Sequence, residues 1–231
     1  MEQQLQAGLA ALGLPTEGVP SLLRYGYLLM ETNKVMNLTA ITDPADIAAL
    51  HFLDSAALLT LEDFRDKTVV DVGTGAGFPG LPLKILEPTI HLTLLDSLGK
   101  RVQFLERVCQ ELGLADVACI HGRAEEFAAA HRESFDLAVS RAVAALPVLC
   151  ELCLPLVRPG GKFLAMKSVD SDQELESARH AIEILGGAVS GVRDYAIPGT
   201  EVRHRLILVK KVKKTPEKYP RMFAKIKKNP L

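Results

Sequence analysis

The 231-residue sequence lacks any uninterrupted apolar run near the roughly 18 residues that a membrane-spanning helix needs. Its first residues, "MEQQLQAGLAALGLP", contain no basic segment followed by an apolar one. Both absences argue against a membrane protein or an exported one, so a soluble cytoplasmic chain is expected. Cysteine is scarce, and Cys109, Cys119, Cys150 and Cys153 are the whole set. Cys150 and Cys153 form a C-x-x-C, but no second such pair and no nearby histidine pair accompanies it, which removes the usual zinc and thiol-exchange readings. Within "AVAALPVLCELCLPLVRPGG" a spacing of three puts both thiols on one packed helical face. No metal is expected, and reduced thiols fit a cytoplasmic setting. An overall excess of charge is also missing, the formal net charge being −1.

Near-neutrality hides a strong asymmetry. Residues 203–231 hold eleven Lys and Arg against the single Glu217, a net +10, so the other 202 residues carry −11. A basic block on an acidic body predicts an anionic partner docking at one end of the molecule. Tyr219, Pro220, Met222, Phe223 and Ile226 interleave these charges, a pattern that favours a nucleic-acid docking segment over a merely solvated tail. With 48% hydrophobic and 24% charged residues, the chain suits one large α/β domain with a small appendage.

Three parts are expected: a helical extension over 1–66, a main domain over 67–212 and a basic tail over 213–231. In the first, "SLLRYGYLLMETNKVMN" and "DPADIAALHFLDSAALLTL" repeat apolar residues with helical spacing, and Asp43 before Pro44 supplies a cap and a first-turn proline. His51 and Asp54, three apart on one helical face, read as a structural hydrogen bond, with a catalytic pair as the alternative. From Thr68 onward short apolar runs alternate with helical stretches: "TVVDVG", "HLTLLDS", "VACIHG", "FDLAVSRA", "RPGGKFLAMKS", "AVSGVRDYAI" and "RHRLILVKKV" supply seven strands. The alternation predicts a doubly wound, mostly parallel sheet, whose ligands sit beyond the carboxyl ends of the strands. The loops after Val72, Leu95, Ile120, Val139 and Met166 are therefore the ones to inspect.

The first of them, "GTGAGFPG", holds a G-x-G-x-x-G at Gly75, Gly77 and Gly80, usually a dinucleotide signature. Two details oppose a phosphate. Asp71 ends the strand and is expected to direct its carboxylate into the crevice, repelling an anion. Pro79 and Pro82 remove two backbone donors from the turn that a phosphate would use. A cofactor with a cationic end resolves both objections. S-adenosylmethionine carries an ammonium and a sulfonium, and the glycines let backbone approach its methionyl chain. Asp96, 21 residues beyond Gly75, can accept from a ribose diol, and Glu125 can receive an adenine amine.

"VDVGTGAGFPGLPL", "LTLLDSLGKRVQFL", "GRAEEF" and "SRAVA" closely resemble the bacterial small-subunit rRNA methyltransferase G family, also called glucose-inhibited division protein B. The similarity runs upstream through "NKVMNLTAITDPADIAALHFLDS" and downstream through "KKTPEKYPR". The resemblance implies a Rossmann-like class I S-adenosylmethionine-dependent methyltransferase. It implies methyl transfer to N7 of a guanosine in the 530 loop of 16S rRNA; because rRNA presents its target in a folded context, an assembled or partly assembled small subunit is the expected substrate. By the same resemblance Gly73, Phe78, Ala124, Glu125 and Arg141 contact the cofactor. The tail reads "PRMFAKIKKNPL" where the family carries a glycine-containing "PRKAG", which leaves its contacts open while its charge remains.

Guanine N7 offers an in-plane lone pair and bears no proton, so in-line displacement at the methyl group needs no general base. No convincing base or nucleophile pattern accompanies "SRAVA". Arg123, Arg141 and Lys167 are expected nearest the target base. Lys100, Arg101, Arg123, Lys167, Arg203 and Arg205 are expected to contact RNA. A monomer is expected. Two other classes remain: a dinucleotide-dependent oxidoreductase and a noncatalytic RNA-binding protein.

Overall fold

The computed structural model describes residues 1–141 and 143–231; Ala142, the third residue of the "SRAVA" motif, lies outside them. Seven strands form one sheet in the order β3-β2-β1-β4-β5-β7-β6. They are β1 (Thr68–Val72), β2 (His91–Asp96), β3 (Val117–His121), β4 (Phe135–Arg141), β5 (Val157–Ser168), β6 (Gly187–Ala196) and β7 (Arg203–Lys211). The first five run parallel, while β7 pairs antiparallel with both β5 and β6. Strand order reverses between β1 and β4, and a crevice opens beyond their carboxyl ends.

β1 is buried on both faces, which explains its continuous "VVDV" in place of an alternating pattern. The crossovers are α5 (Gly80–Leu86), α6 (Gly99–Leu112), α7 (Ala124–Ala130), α8 (Leu146–Cys153) and α9 (Asp172–Ile184). α6 buries Val102, Phe104, Leu105 and Val108, and it stops at Gly113, whose φ of 62° only glycine adopts at no cost. Both C-x-x-C thiols are buried within α8, as their helical spacing requires.

The amino-terminal helices do not stand apart from this sheet. Leu5 and Leu9 of α1 (Glu2–Ala11) and Leu22, Tyr25 and Leu29 of α2 (Val19–Asn33) share one core with Phe52 and with Leu94, Val139 and Leu208 of the sheet. The next helical run departs from regular winding. It opens as α3 (Pro44–Asp46), where Asp43 Oδ1 accepts from the N–H groups of Ala45 at 2.8 Å and Asp46 at 3.2 Å. It widens to a π-helix over Ile47–Leu53, returns to α4 (Asp54–Ala56) and tightens to a 3-10 turn at Ala57–Thr60. A 3.6-residue period cannot announce such a widening, which recurs at functional sites.

The basic carboxyl-terminal stretch lies against the other face of the sheet. Arg132 gathers the carbonyls of Thr215, Pro216 and Tyr219. Arg221 forks onto the fully buried Glu151 with Nη2 at 2.6 Å, and Tyr219 and Ile226 join the core there. These anchors precede and include α10 (Phe223–Lys228). Glu151→Ala is expected to cost about 2 kcal/mol, because it strands the Arg221 side chain and backbone N–H. Urea unfolding measures that loss, and trypsin should then cut the 213–231 stretch at least several-fold faster. Among the described residues, no helix is long and apolar enough to cross a membrane.

Candidate functional site

The loop between β1 and α5 is shaped by left-handed backbone at Gly73 (φ 70°), Gly75 (φ 62°) and Gly77 (φ 105°). A Cβ on Gly73 would also lie 2.6 Å from Val143. Asp71 departs from expectation. Its carboxylate turns beneath the loop, away from the crevice, where Oδ2 accepts from the Thr74 hydroxyl at 2.7 Å and the Gly80 N–H at 2.8 Å. The side chain is fully buried, and its Oδ1 has no partner. Burial pushes the carboxyl up to about 6, against the opposing pull of Thr74, Gly80 and Arg141. Asp71 thus caps α5 from within, so the place where a phosphate would bind already holds an anion. Leu81 N–H is likewise taken by Gly77 O, and Pro82 has none to offer.

Asp96, at the end of β2, stays at the crevice. Its Oδ2 accepts from Gly75 N–H at 2.9 Å and its Oδ1 from Leu98 N–H at 2.9 Å, while Arg101 Nη1 stands 3.4 Å away. On one side of Asp96 is a slot of about 120 Å³ bounded by Val72, Leu152, Gly122, Ala124 and Glu125. On the other is a cavity of about 360 Å³ bounded by the glycine loop, Thr39, His51, Phe78 and Arg141. Phe78 contributes an edge to this cavity while its ring packs inward, stacked on His51 at 4.3 Å and Tyr25 at 5.4 Å.

Arg141, at the end of β4, crosses to the π-helix. Its Nη1 donates to Leu50 O and Asp54 Oδ2 at 2.9 Å, its Nη2 donates to His51 Nδ1 at 2.9 Å, and the guanidinium lies over Phe78. Because Nδ1 of His51 accepts, Nε2 carries the hydrogen and donates to Thr39 Oγ1 at 2.9 Å. Burial, then the Arg141 charge, lowers the His51 pKa to about 3, so the ring is neutral. Burial alone pushes Asp54 up, but the bond from His204, the Arg141 charge and the Tyr195 hydroxyl outweigh it and hold the carboxyl below its usual range. Asp54 Oδ1 accepts from His204 Nδ1 and Tyr195 Oη, both at 2.8 Å, and that bond raises the His204 pKa. His51 and Asp54 are thus two halves of one cradle for Arg141. Beyond it lies a mostly apolar cavity of about 480 Å³, bounded by Ile41, Leu50, Met166, Lys167, Val202 and His204.

The model of the rRNA small subunit methyltransferase G family matches residues 19–204. The chain belongs to that family. Two relatives named ribosomal RNA small subunit methyltransferase G extend the match. That of Alkaliphilus metalliredigens is 46% identical across 98% of this chain and 97% of its own. That of Clostridium botulinum is 47% identical across 91% and 89%. The solved structure of M. jannaschii TYW2 in complex with AdoMet shares the fold, with a TM-score of 0.56, 12% identity, and 69% and 75% of the two chains covered.

In this methyltransferase the carboxyl edge of the sheet brings together Gly73, Gly75, Asp96, Ala124, Glu125 and Arg141, while Gly77 turns toward Tyr25 and Leu81. Lys100, Arg123 and Arg203 are exposed at the same edge and Arg101 is half-buried there. Lys167 is committed to Ala144 O and Glu174 Oε1, both at 2.7 Å, and so pins the loop after β4. Arg205 is also committed, to Asp194 at 2.6 Å and Asp172 at 2.7 Å, so its charge is already balanced on the protein. Sequence reasoning missed Thr39, Val143 and Phe223 at the crevice, and Tyr195 behind Arg141. Only Phe223 left a sequence signal, as an aromatic inside the charge run.

Proposed function

We propose that this methyltransferase transfers the methyl group of S-adenosylmethionine to N7 of a guanosine in the 530 loop of 16S rRNA, presented within an assembled or partly assembled small subunit. The adjacency of two cavities across Arg141 and His51 carries the reading. The one at the glycine loop and Asp96 suits the cofactor, with the ribose diol on Asp96, the adenine edge near Glu125 and the methionyl chain over Gly73 and Gly75. The apolar one beside Lys167 and His204 suits a base that has left its stack, at a cost of roughly a few kcal/mol.

Among the described residues, no titratable group between the two is poised to remove a proton. Both His51 nitrogens are engaged, and Asp54 is held by three donors. Methylation at N7 needs none. With S-adenosylmethionine bound, the in-plane lone pair would form the N–C bond as the C–S bond breaks, and S-adenosylhomocysteine and a cationic base would result. The protein's task is to hold N7, methyl and sulfur in line, and Arg141, fixed by four partners, sets the wall they share. Asp54 balances its charge from behind.

Calorimetry with the purified chain tests the cofactor: binding of S-adenosylmethionine supports the reading, and binding of NADH alone contradicts it. For RNA, replacing Lys100, Arg123 and Arg203 by alanine should each reduce the salt slope of affinity by roughly 0.7 to 0.9 per lost phosphate contact. Arg205→Ala should leave that slope unchanged, because Asp194 and Asp172 already neutralise it. Filter binding across salt concentrations reads both.

A further inference from the structure

The slot between Asp96 and Glu125 has a wall that comes from the far end of the chain. Val72 and Leu152 give it apolar surface, Gly122 and Ala124 give backbone, and Phe223, the first residue of α10, completes its boundary. The ring is held there by its neighbours. Arg221 donates through its backbone N–H and its guanidinium to buried Glu151, at 2.8 and 2.6 Å, and Ile226 is fully buried one turn later. Phe223 itself packs on the core around α8. Met222, beside it, is 69% exposed. Within this lysine-rich stretch the Phe223 ring is thus fixed over a narrow slot with apolar walls and carboxylates at its rim. Such a slot fits a flat heteroaromatic ring with polar edges.

We propose that Phe223 forms the outer wall of the adenine pocket and selects the adenosyl end of the cofactor by packing on the ring. The proposal rests on the reading of S-adenosylmethionine as cofactor and extends it to a residue of the carboxyl-terminal segment. It separates the work of that segment: its lysines face outward, and Phe223 faces the cofactor. Stacking is directed at the purine, so every ligand that carries adenosine should feel its loss equally, whatever hangs from the 5′ carbon.

Isothermal titration of the full chain with S-adenosylhomocysteine and with 5′-methylthioadenosine, which lacks the amino-acid end, tests this. Phe223→Ala should weaken both ligands by the same factor, roughly tenfold. Phe223→Tyr should stay within about twofold of wild type, since it keeps the ring. Met222→Ala should change neither affinity. Thermal unfolding is followed alongside, and Phe223→Leu serves if the alanine variant melts early, with an expected loss of roughly threefold because the apolar contact remains and the stack is gone. Unchanged affinities in Phe223→Ala and Phe223→Leu overturn the proposal, as does a loss confined to S-adenosylhomocysteine. A wild-type chain that binds neither ligand contradicts the cofactor reading itself, a separate failure.

Discussion

Replacing Arg141 by alanine is expected to lower methyl transfer by roughly 10²- to 10³-fold, the range for removing one preorganised charge from a reaction centre. The same change should lower stability by about 3 to 5 kcal/mol, because it leaves a buried carboxylate without its main counter-charge. Arg141 stays charged at every pH while bonded to Asp54, and it also satisfies Leu50 O and the Nδ1 of His51. With the guanidinium gone, Asp54 keeps only Tyr195 and His204, and His204 is a cation only when protonated. The wall between the two cavities loses its fixed point at the same time. Initial rates on small subunits lacking the modification, with urea unfolding on the same preparations, measure the two losses. Arg141→Lys should recover much of the stability and little of the rate, since an ammonium cannot reach three acceptors on two sides.

Asp71→Ala is expected to weaken cofactor binding by at least about tenfold and to cost about 3 kcal/mol, because the Thr74 hydroxyl and the Gly80 N–H are both left buried without an acceptor. Asp71→Asn behaves differently, since one amide oxygen can still accept from both donors. The carboxyl sits near 6 in the folded chain, above its ordinary value near 4, so folding favours its protonated form. Its contribution to stability is therefore fully present below about pH 4 and is lost as the pH rises to about 6. Wild type should lose stability relative to Asp71→Asn over that interval and hold a constant difference above it. Urea unfolding of both chains at pH 4 to 7.5 reads this directly; a difference independent of pH contradicts it. Cofactor affinity of the asparagine variant should stay close to wild type, because the carboxylate supports the loop and does not face the ligand.

Asp71 also shows where the sequence stops being informative. Its place at the strand end, and the unsuitability of the loop for phosphate, were both legible. The direction of its side chain was not, because it depends on donors at Thr74 and Gly80 that align only once the glycines have turned the loop. His51 and Asp54 were legible as structural residues, but in place of a bond to each other both bond Arg141, a partner the sequence did not show. Arg141 lies some ninety residues away, and π winding brings the two side chains to it. Asp96 was placed correctly at the crevice because a strand end is a position that periodicity and the glycine loop fix together.

The basic block was the hardest to read. Charge runs announce solvent, yet Lys211 is fully buried against Leu154 O and Thr215, Arg205 spends its charge on two aspartates, and Arg221 sits on Glu151. The acids that capture these cations are remote in sequence, so net charge overstated what is left for RNA. Lys213, Lys214, Lys218, Lys225, Lys227 and Lys228 of the block stay exposed, and Lys100, Arg123 and Arg203 are exposed at the carboxyl edge of the sheet.

Nucleoside mass spectrometry of 16S rRNA tests the methyl transfer itself. Small subunits from a strain deleted for this gene are incubated with the purified chain and S-adenosylmethionine, and the rRNA is digested to nucleosides. One N7-methylguanosine in the 530 loop, absent before incubation, should appear with wild type and fail to appear at comparable rate with Arg141→Ala. An rRNA that already carries the modification in the deletion strain, or that gains none from the wild-type enzyme, contradicts this expectation.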